Sequence, residues 1–309
     1  MAERGRPRRG CLAGLALAVV VFAVTVVAVV LALRVFTATD SGTGRCTAPL
    51  EDETLGLAPD QADNAALMGA VALRRELPAR AVTIAIATAM QESRLRNIDF
   101  GDRDSVGLFQ QRPSQGWGTV EEIMDPVYST NAFYDVLVTV EGWESAEVTD
   151  AAQDVQRSAF PDAYAQHEPR GRAFASSLTG YSTGALVCRL DPAADGGGSA
   201  AGALDAVSDR LARDFVDIGL QRAEDHLLVD ATTLPAGLDD APARRGWALA
   251  QWAVATAEAT GVSVVATDGQ AWVRDDGAEA GWAPVGDSDL PESVARALQE
   301  AGPGAVVIA

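Results

Sequence analysis

Residues 91–119 read QESRLRNIDFGDRDSVGLFQQRPSQGWGT and connect an apolar helical pattern to a polar, glycine-rich loop. The stretch before the loop, PARAVTIAIATAMQES, has helical periodicity and ends in Glu92 and Ser93. Glu92 shares a helical stripe with Ala85 and Thr88, so we expect its carboxyl group to be partly buried. Because burial favours the protonated form of a carboxylic acid, Glu92 is a candidate general acid.

Composition places the chain among ordinary globular proteins. Its 309 residues are 48% hydrophobic and 22% charged, which is enough for one large domain or two smaller ones. The formal net charge is -19 and the sequence pI is about 4.4. Nucleic-acid binding selects basic surfaces, so this balance argues against a nucleic-acid partner.

The N-terminus has the pattern of a membrane anchor. Four arginines occur in residues 1–10, and residues 11–33 form an uncharged apolar run that is long enough to cross a bilayer. The excess of arginine before this run predicts a cytoplasmic tail, a single-pass helix in the plasma membrane and an extracytoplasmic remainder. A cleaved signal peptide is the alternative. Residues 34–57 are interpreted as a stalk.

Two cysteines follow the apolar run. An extracytoplasmic chain meets an oxidising environment, so we expect Cys46 and Cys188 to form a disulfide. Their separation is 188 − 46 = 142 residues. The alternative is a pair of unbonded thiols.

The remaining pattern predicts two domains. Residues 58–190 are predominantly helical in pattern, and residues 191–203 have the composition of a flexible linker. Residues 204–309 alternate helix and strand signals, including a hairpin with Asp268 and Gly269 at its turn. The expected fold class is an N-terminal transmembrane helix, a predominantly α domain, and a smaller C-terminal α/β or α+β domain.

Several loop residues carry a family resemblance. These residues are Glu92-Ser93, Ser105, Gly107-Leu108-Phe109-Gln110 and Pro113. The interval from Glu92 to Gly107 is 107 − 92 = 15 residues. This pattern resembles lysozyme-like lytic transglycosylases and goose-type lysozymes, in the form seen in actinobacterial wall-associated and phage-related proteins. The resemblance covers roughly residues 58–185 and implies a lysozyme-like helical domain.

The resemblance implies an enzyme that cleaves peptidoglycan between N-acetylmuramic acid and N-acetylglucosamine, with Glu92 as its single general acid and base and with no cofactor. The nucleophile is either the muramic 6-hydroxyl or water, and water would need a second acid, for which Asp102 and Asp104 are candidates. The other implied substrate-binding residues are Ser93, Ser105, Gly107, Phe109, Gln110, Gln111, Trp117, Gln156 and Tyr164.

One family segment, Ala-Tyr-Asn-Ala-Gly, has no residue-for-residue match. Gln156, Ser158 and Tyr164 are the alternatives for its tyrosine and asparagine. The competing interpretation of the chain is a catalytically inactive, glycan-binding or scaffolding protein of the cell envelope, with Glu92 as an ordinary polar residue at a helix end.

The C-terminal block resembles a metal-free relative of wall-associated D-alanyl peptidase-like domains. His226 and Asp230 match part of the zinc-binding pattern of that family, but the closing strand reads AVVIA and contains no histidine. A catalytic zinc site needs three protein ligands. We therefore expect no metal in this block and interpret it as an accessory module.

Overall fold

The structure, a computed structural model, describes residues 44–157, 161–191, 200–235, 241–274 and 280–309. The predicted cytoplasmic tail and transmembrane helix over residues 1–33, and the first part of the predicted stalk, lie outside the described residues. Within the described ranges, no helix has both the length and the apolar character needed to cross a membrane.

The described part of the chain contains ten α-helices. Two of them are central, because Ala65–Leu73 of α1 and Ala81–Ala89 of α2 are buried all round. Gly171 lets α6 pack closely on α2, since a Cβ atom there would lie 2.7 Å from the Thr83 carbonyl oxygen. The helices are α1 Pro59–Arg74, α2 Ala79–Ser93, α3 Val120–Met124, α4 Pro126–Leu137, α5 Val148–Gln156, α6 Glu168–Leu178, α7 Ala200–Phe215, α8 Pro242–Ala255, α9 Ala257–Thr260 and α10 Glu292–Glu300.

A small antiparallel sheet lies against the helices and has the order β2-β1-β3, with β1 Arg45–Leu50, β2 Glu53–Leu57 and β3 Val187–Arg189. Cys46 and Cys188 are directly opposed in the β1–β3 pair and are joined by a disulfide. The bond connects two strands that are 142 residues apart in the chain. Such a crosslink stabilises mainly by restricting the unfolded chain.

A second antiparallel sheet has six strands in the order β4-β5-β9-β6-β7-β8. Val306 and Ile308 of β9 belong to the core that contains α8, whereas Val307 packs in the core that contains Val294 of α10. The sheet is therefore covered by helices on both faces. Its strands are β4 Gly219–Arg222, β5 Leu227–Asp230, β6 Val264–Thr267, β7 Gln270–Val273, β8 Trp282–Pro284 and β9 Ala305–Ile308.

Buried polar contacts join residues 58–190, the first sequence block, to residues 204–309, the C-terminal block. The Gln251 side chain on α8 is fully buried, and its Oε1 accepts hydrogen bonds from the backbone N–H groups of Ala185 and Leu186, at 3.0 and 2.7 Å. Its Nε2 donates to the carbonyl oxygens of Ser177 and Ser182, at 2.7 and 2.9 Å. One amide group thus satisfies four backbone groups of the first block.

The fold class predicted from the sequence is wrong. The described chain is a mixed α and β structure in which residues 44–309 form one compact unit. Residues 45–57, predicted as stalk, supply β1 and β2, and a core of buried side chains runs through both blocks. The strands were missed because β1 and β2 are only 6 and 5 residues long and acquire a buried face only against the helices.

Replacing Gln251 by leucine tests whether the two blocks are one unit. Gln251→Leu removes four hydrogen bonds to buried or partly buried backbone groups, so we expect the free energy of unfolding to fall by about 3 kcal/mol or more. Urea denaturation followed by tryptophan fluorescence and circular dichroism measures this. Gln221→Leu, on the exposed strand β4, is the matched control and should change stability by less than about 0.5 kcal/mol. A Gln251→Leu protein as stable as the control would contradict the shared core.

Candidate functional site

Helix α2 presents Glu92 at its C-terminal end. Arg94 and Leu95 both have left-handed backbone angles, with φ of 56° and 59°, so the chain turns sharply after the helix. Leu95 is fully buried and its N–H donates to the Ala89 carbonyl oxygen at 2.8 Å. Glu92 is half-buried at this turn, which agrees with the partial burial expected from its position on the helix.

The glycine-rich loop folds back onto the end of α2. The Ser93 hydroxyl is buried and lies 2.7 Å from the Leu108 carbonyl oxygen, its closest partner. Gly107 donates its N–H to the Ile98 carbonyl oxygen at 2.7 Å. Gly107 has φ of +80°, and a Cβ atom there would lie 2.9 Å from the Ile123 carbonyl oxygen. The Ser93 and Gly107 positions thus fix the loop against the helix.

Several predicted substrate-binding residues serve as internal supports of this loop. Phe109 is fully buried and stacks on Phe133 with ring centroids 4.4 Å apart. Gln111 is buried and donates to the Ser129 carbonyl oxygen at 3.2 Å, and Gln110 donates to the Phe100 carbonyl oxygen at 3.2 Å. These side chains hold the loop together in the structure.

Tyr164 and Glu92 are in direct contact. Tyr164 lies in the 3-10 segment Pro161–His167, is fully buried, and donates its hydroxyl to Glu92 Oε1 at 2.7 Å. Glu92 Oε2 has no hydrogen-bond partner among the residues that the structure describes. Gln156, which ends α5, donates to the Phe109 carbonyl oxygen at 2.8 Å. Three residues were alternatives for the tyrosine and asparagine of the Ala-Tyr-Asn-Ala-Gly pattern. Tyr164 contacts the Glu92 carboxyl group, Gln156 supports the loop, and Ser158 lies outside the described residues.

The two candidate second acids have other surroundings. Asp104 Oδ1 accepts hydrogen bonds from Arg112 Nε and the Ser114 hydroxyl, both at 3.0 Å, and Oδ2 accepts from the Ser114 N–H at 2.8 Å. These bonds from Ser114 and Arg112 hold the pKa of the Asp104 carboxyl far below its usual range. Asp102 is exposed beside Arg103. Neither makes a hydrogen bond to Glu92 in the described part of the chain.

The remaining predicted residues, Ser105 and Trp117, are wholly or partly buried. Ser105 is buried, and Trp117 is half-buried and packs against the main core. Phe100 was not predicted from the sequence; this loop residue is 70% exposed and therefore offers an aromatic face to a ligand. The available signal was its isolation in the polar run NIDFGDRD.

His167 was also not predicted from the sequence. Its Nε2 lies 3.1 Å from Oε1 of Gln91, the residue before Glu92. Burial, with a smaller contribution from Arg170, lowers the pKa of His167 and favours the neutral ring. The signal in the sequence was slight, because the chain has two histidines and neither belongs to a motif that includes Glu92.

In the C-terminal block, His226 Nδ1 lies 2.8 Å from Asp225 Oδ1, and Asp225 also accepts a hydrogen bond from Ser293. Asp230 caps the short 3-10 segment Ala231–Thr233 and accepts from the Thr232 N–H at 2.9 Å. No group of three or more histidine, cysteine, aspartate and glutamate residues within the described ranges could hold a metal ion.

Comparison with known proteins gave no match to the chain, either among protein-family models or among curated proteins.

The acid sensitivity of the loop tests the role of Asp104. Because the pKa of Asp104 is lower in the folded state than its ordinary value of 3.8, its contribution to stability is complete above that value and disappears as pH falls further. We expect Asp104→Asn to lower the urea midpoint at pH 6, and the difference from wild type to shrink below pH 3.8. Asp99→Asn, at an exposed loop position, is the control. A difference that stays constant down to pH 2.5 would contradict the assignment.

Proposed function

We propose that this protein cleaves the bond between N-acetylmuramic acid and N-acetylglucosamine in peptidoglycan, with Glu92 as both general acid and general base. The observation that carries the proposal is the 2.7 Å hydrogen bond from the buried Tyr164 hydroxyl to Glu92 Oε1. It orients a half-buried carboxyl group at a helix end and leaves Oε2 for a ligand. The Glu-Ser and Gly-Leu-Phe-Gln resemblance supplies the substrate class.

The reaction has two proton transfers through the same carboxyl group. Protonated Glu92 donates a proton to the glycosidic oxygen, the bond from that oxygen to the anomeric carbon breaks, and positive charge develops on the muramic ring. The resulting carboxylate then accepts the proton of the muramic 6-hydroxyl while that oxygen bonds to the anomeric carbon. Glu92 ends protonated, as it began, and the products are a free N-acetylglucosamine end and a 1,6-anhydro-muramic end.

The surroundings of the loop carboxylates favour this intramolecular route over attack by water. A water-consuming inverting route needs a second carboxylate about 6.5–9.5 Å from the acid, free to hold the water. Both oxygens of Asp104 already accept hydrogen bonds from Arg112 and Ser114, and Asp102 is exposed beside Arg103. The 6-hydroxyl of the substrate needs no second acid.

The exposed ring of Phe100 is suited to stacking against a sugar face. It lies on the loop that Ser93 fastens to the end of α2, and its carbonyl oxygen is held by the Gln110 side chain. The Cys46–Cys188 disulfide is compatible with an oxidising, extracytoplasmic location. We propose that residues 11–33 anchor the protein in the plasma membrane with its bulk outside, close to the wall glycan strands.

Removal of the Glu92 carboxyl group tests the proposal. Glu92→Gln cannot transfer a proton, so we expect at least a hundredfold loss in the release of soluble fragments from purified peptidoglycan. Glu144→Gln, at an exposed position, removes the same charge elsewhere and should retain full activity. Equal activity of the two variants would refute the role of Glu92. Absence of fragments from wild type, with binding to the wall retained, would favour the scaffolding alternative.

The hydroxyl of Tyr164 should orient Glu92. We expect Tyr164→Phe to lower activity about tenfold, because a hydrogen bond to a charged group contributes about 1.5–3 kcal/mol. Tyr134→Phe is the matched control, since Tyr134 is also fully buried and its hydroxyl donates to the Met68 carbonyl oxygen at 3.0 Å. The control should lose stability but keep activity. Equal loss of activity in both variants would reduce Tyr164 to a packing residue.

A further inference from the structure

A cleft of about 550 Å³ opens at the other end of α2 from Glu92, a size typical of sites for small ligands. It is bounded by the first turn of α2, by α6 and by the end of β1. The residues with polar side chains in its wall are Arg80, Thr83, Glu168, Arg172, Ser176 and Tyr181.

The side chains in this cleft suit a ligand that carries both a negative and a positive charge. Arg80 is fixed by hydrogen bonds to the carbonyl oxygens of Trp143, at 3.0 Å, and Ala146, which do not neutralise its charge. Arg172 is exposed and forms no ion pair within the described ranges. Two arginines without a carboxylate partner among the described residues therefore line one cleft of a chain whose net charge is -19. Glu168 supplies a negative charge in the same wall.

Among the described residues, only the Glu168 end of the cleft is linked to the Glu92 site, through His167 and Gln91. Glu168 follows His167, whose ring contacts the side chain of Gln91, and Gln91 precedes Glu92. A peptide of three to four residues spans up to about 10–14 Å when extended. Thr83 in the cleft wall precedes Glu92 by 92 − 83 = 9 residues on α2, which is about 14 Å along the helix axis. A fully extended peptide attached to a sugar at Glu92 would therefore reach the end of the cleft that Thr83 and Glu168 line.

We propose that this cleft binds the peptide stem of peptidoglycan through a residue that bears both a carboxylate and an ammonium group. Arg172 and Arg80 receive the carboxylate, Glu168 receives the ammonium group, and Tyr181 and Ser176 line the remaining wall. The inference rests on the proposed function, because it identifies the cleft as a second recognition site for the same substrate.

Isothermal titration of the full chain, purified in a non-ionic detergent, tests this with two synthetic tetrapeptides. One is Ala-isoGlu-diaminopimelate-Ala, and the other has lysine in the third position and so lacks one carboxylate. We expect wild type to bind the diaminopimelate peptide about fivefold more tightly, since an exposed ion pair contributes up to about 1 kcal/mol. Arg172→Gln should reduce that preference to about one. Arg296→Gln, an exposed arginine on α10 that changes the charge equally, should keep it.

The remaining outcomes separate this inference from the proposed function. Glu92→Gln should bind both peptides as wild type does, because Glu92 is not in the cleft. Equal affinity of wild type for the two peptides, or a preference that survives Arg172→Gln, would overturn the inference while leaving Glu92-dependent cleavage intact. Retained peptide preference in a protein that leaves glycan strands uncut would support the cleft and refute the enzyme.

Discussion

The contact between the Ser93 hydroxyl and the Leu108 carbonyl oxygen is the constraint on which the candidate site depends. It is buried, it lies one residue beyond Glu92, and it brings together residues that are 15 apart in the chain. Gly107 makes the approach possible, and the stacked rings of Phe109 and Phe133 fix the loop from the other side. Rigid support of this kind is what a single acid needs to hold a productive geometry.

The C-terminal block contributes to the stability of this arrangement through buried polar contacts. Gln251 satisfies backbone groups on both sides of the turn that follows α6, and α6 is the helix that packs on α2 through Gly171. Buried Asp214 accepts hydrogen bonds from Trp252 Nε1 at 2.9 Å and Arg210 Nε at 2.8 Å. The block that sequence analysis treated as an accessory is thus continuous with the core beneath the site.

Local signals were predictable from the sequence, and long-range contacts were not. The hairpin with Asp268 and Gly269 at its turn was predicted and is present as β6–β7, because left-handed residues at a two-residue turn are a local property. The Glu92–Tyr164 contact joins residues 72 apart, so Tyr164 could be named only as one of three alternatives. The inward orientation of Phe109 and Gln111 and the partners of Asp104 depend on tertiary packing, as does the β1–β3 pairing.

The most direct test of the single-carboxylate mechanism is mass spectrometry of peptidoglycan fragments released in water enriched in oxygen-18. The mechanism predicts 1,6-anhydro-muramic ends that carry no oxygen-18 and that disappear in the Glu92→Gln protein. Reducing ends labelled with oxygen-18 would show that water is the nucleophile and would contradict the intramolecular route. Fragments released equally by wild type and Glu92→Gln would contradict the central claim that Glu92 breaks the glycosidic bond.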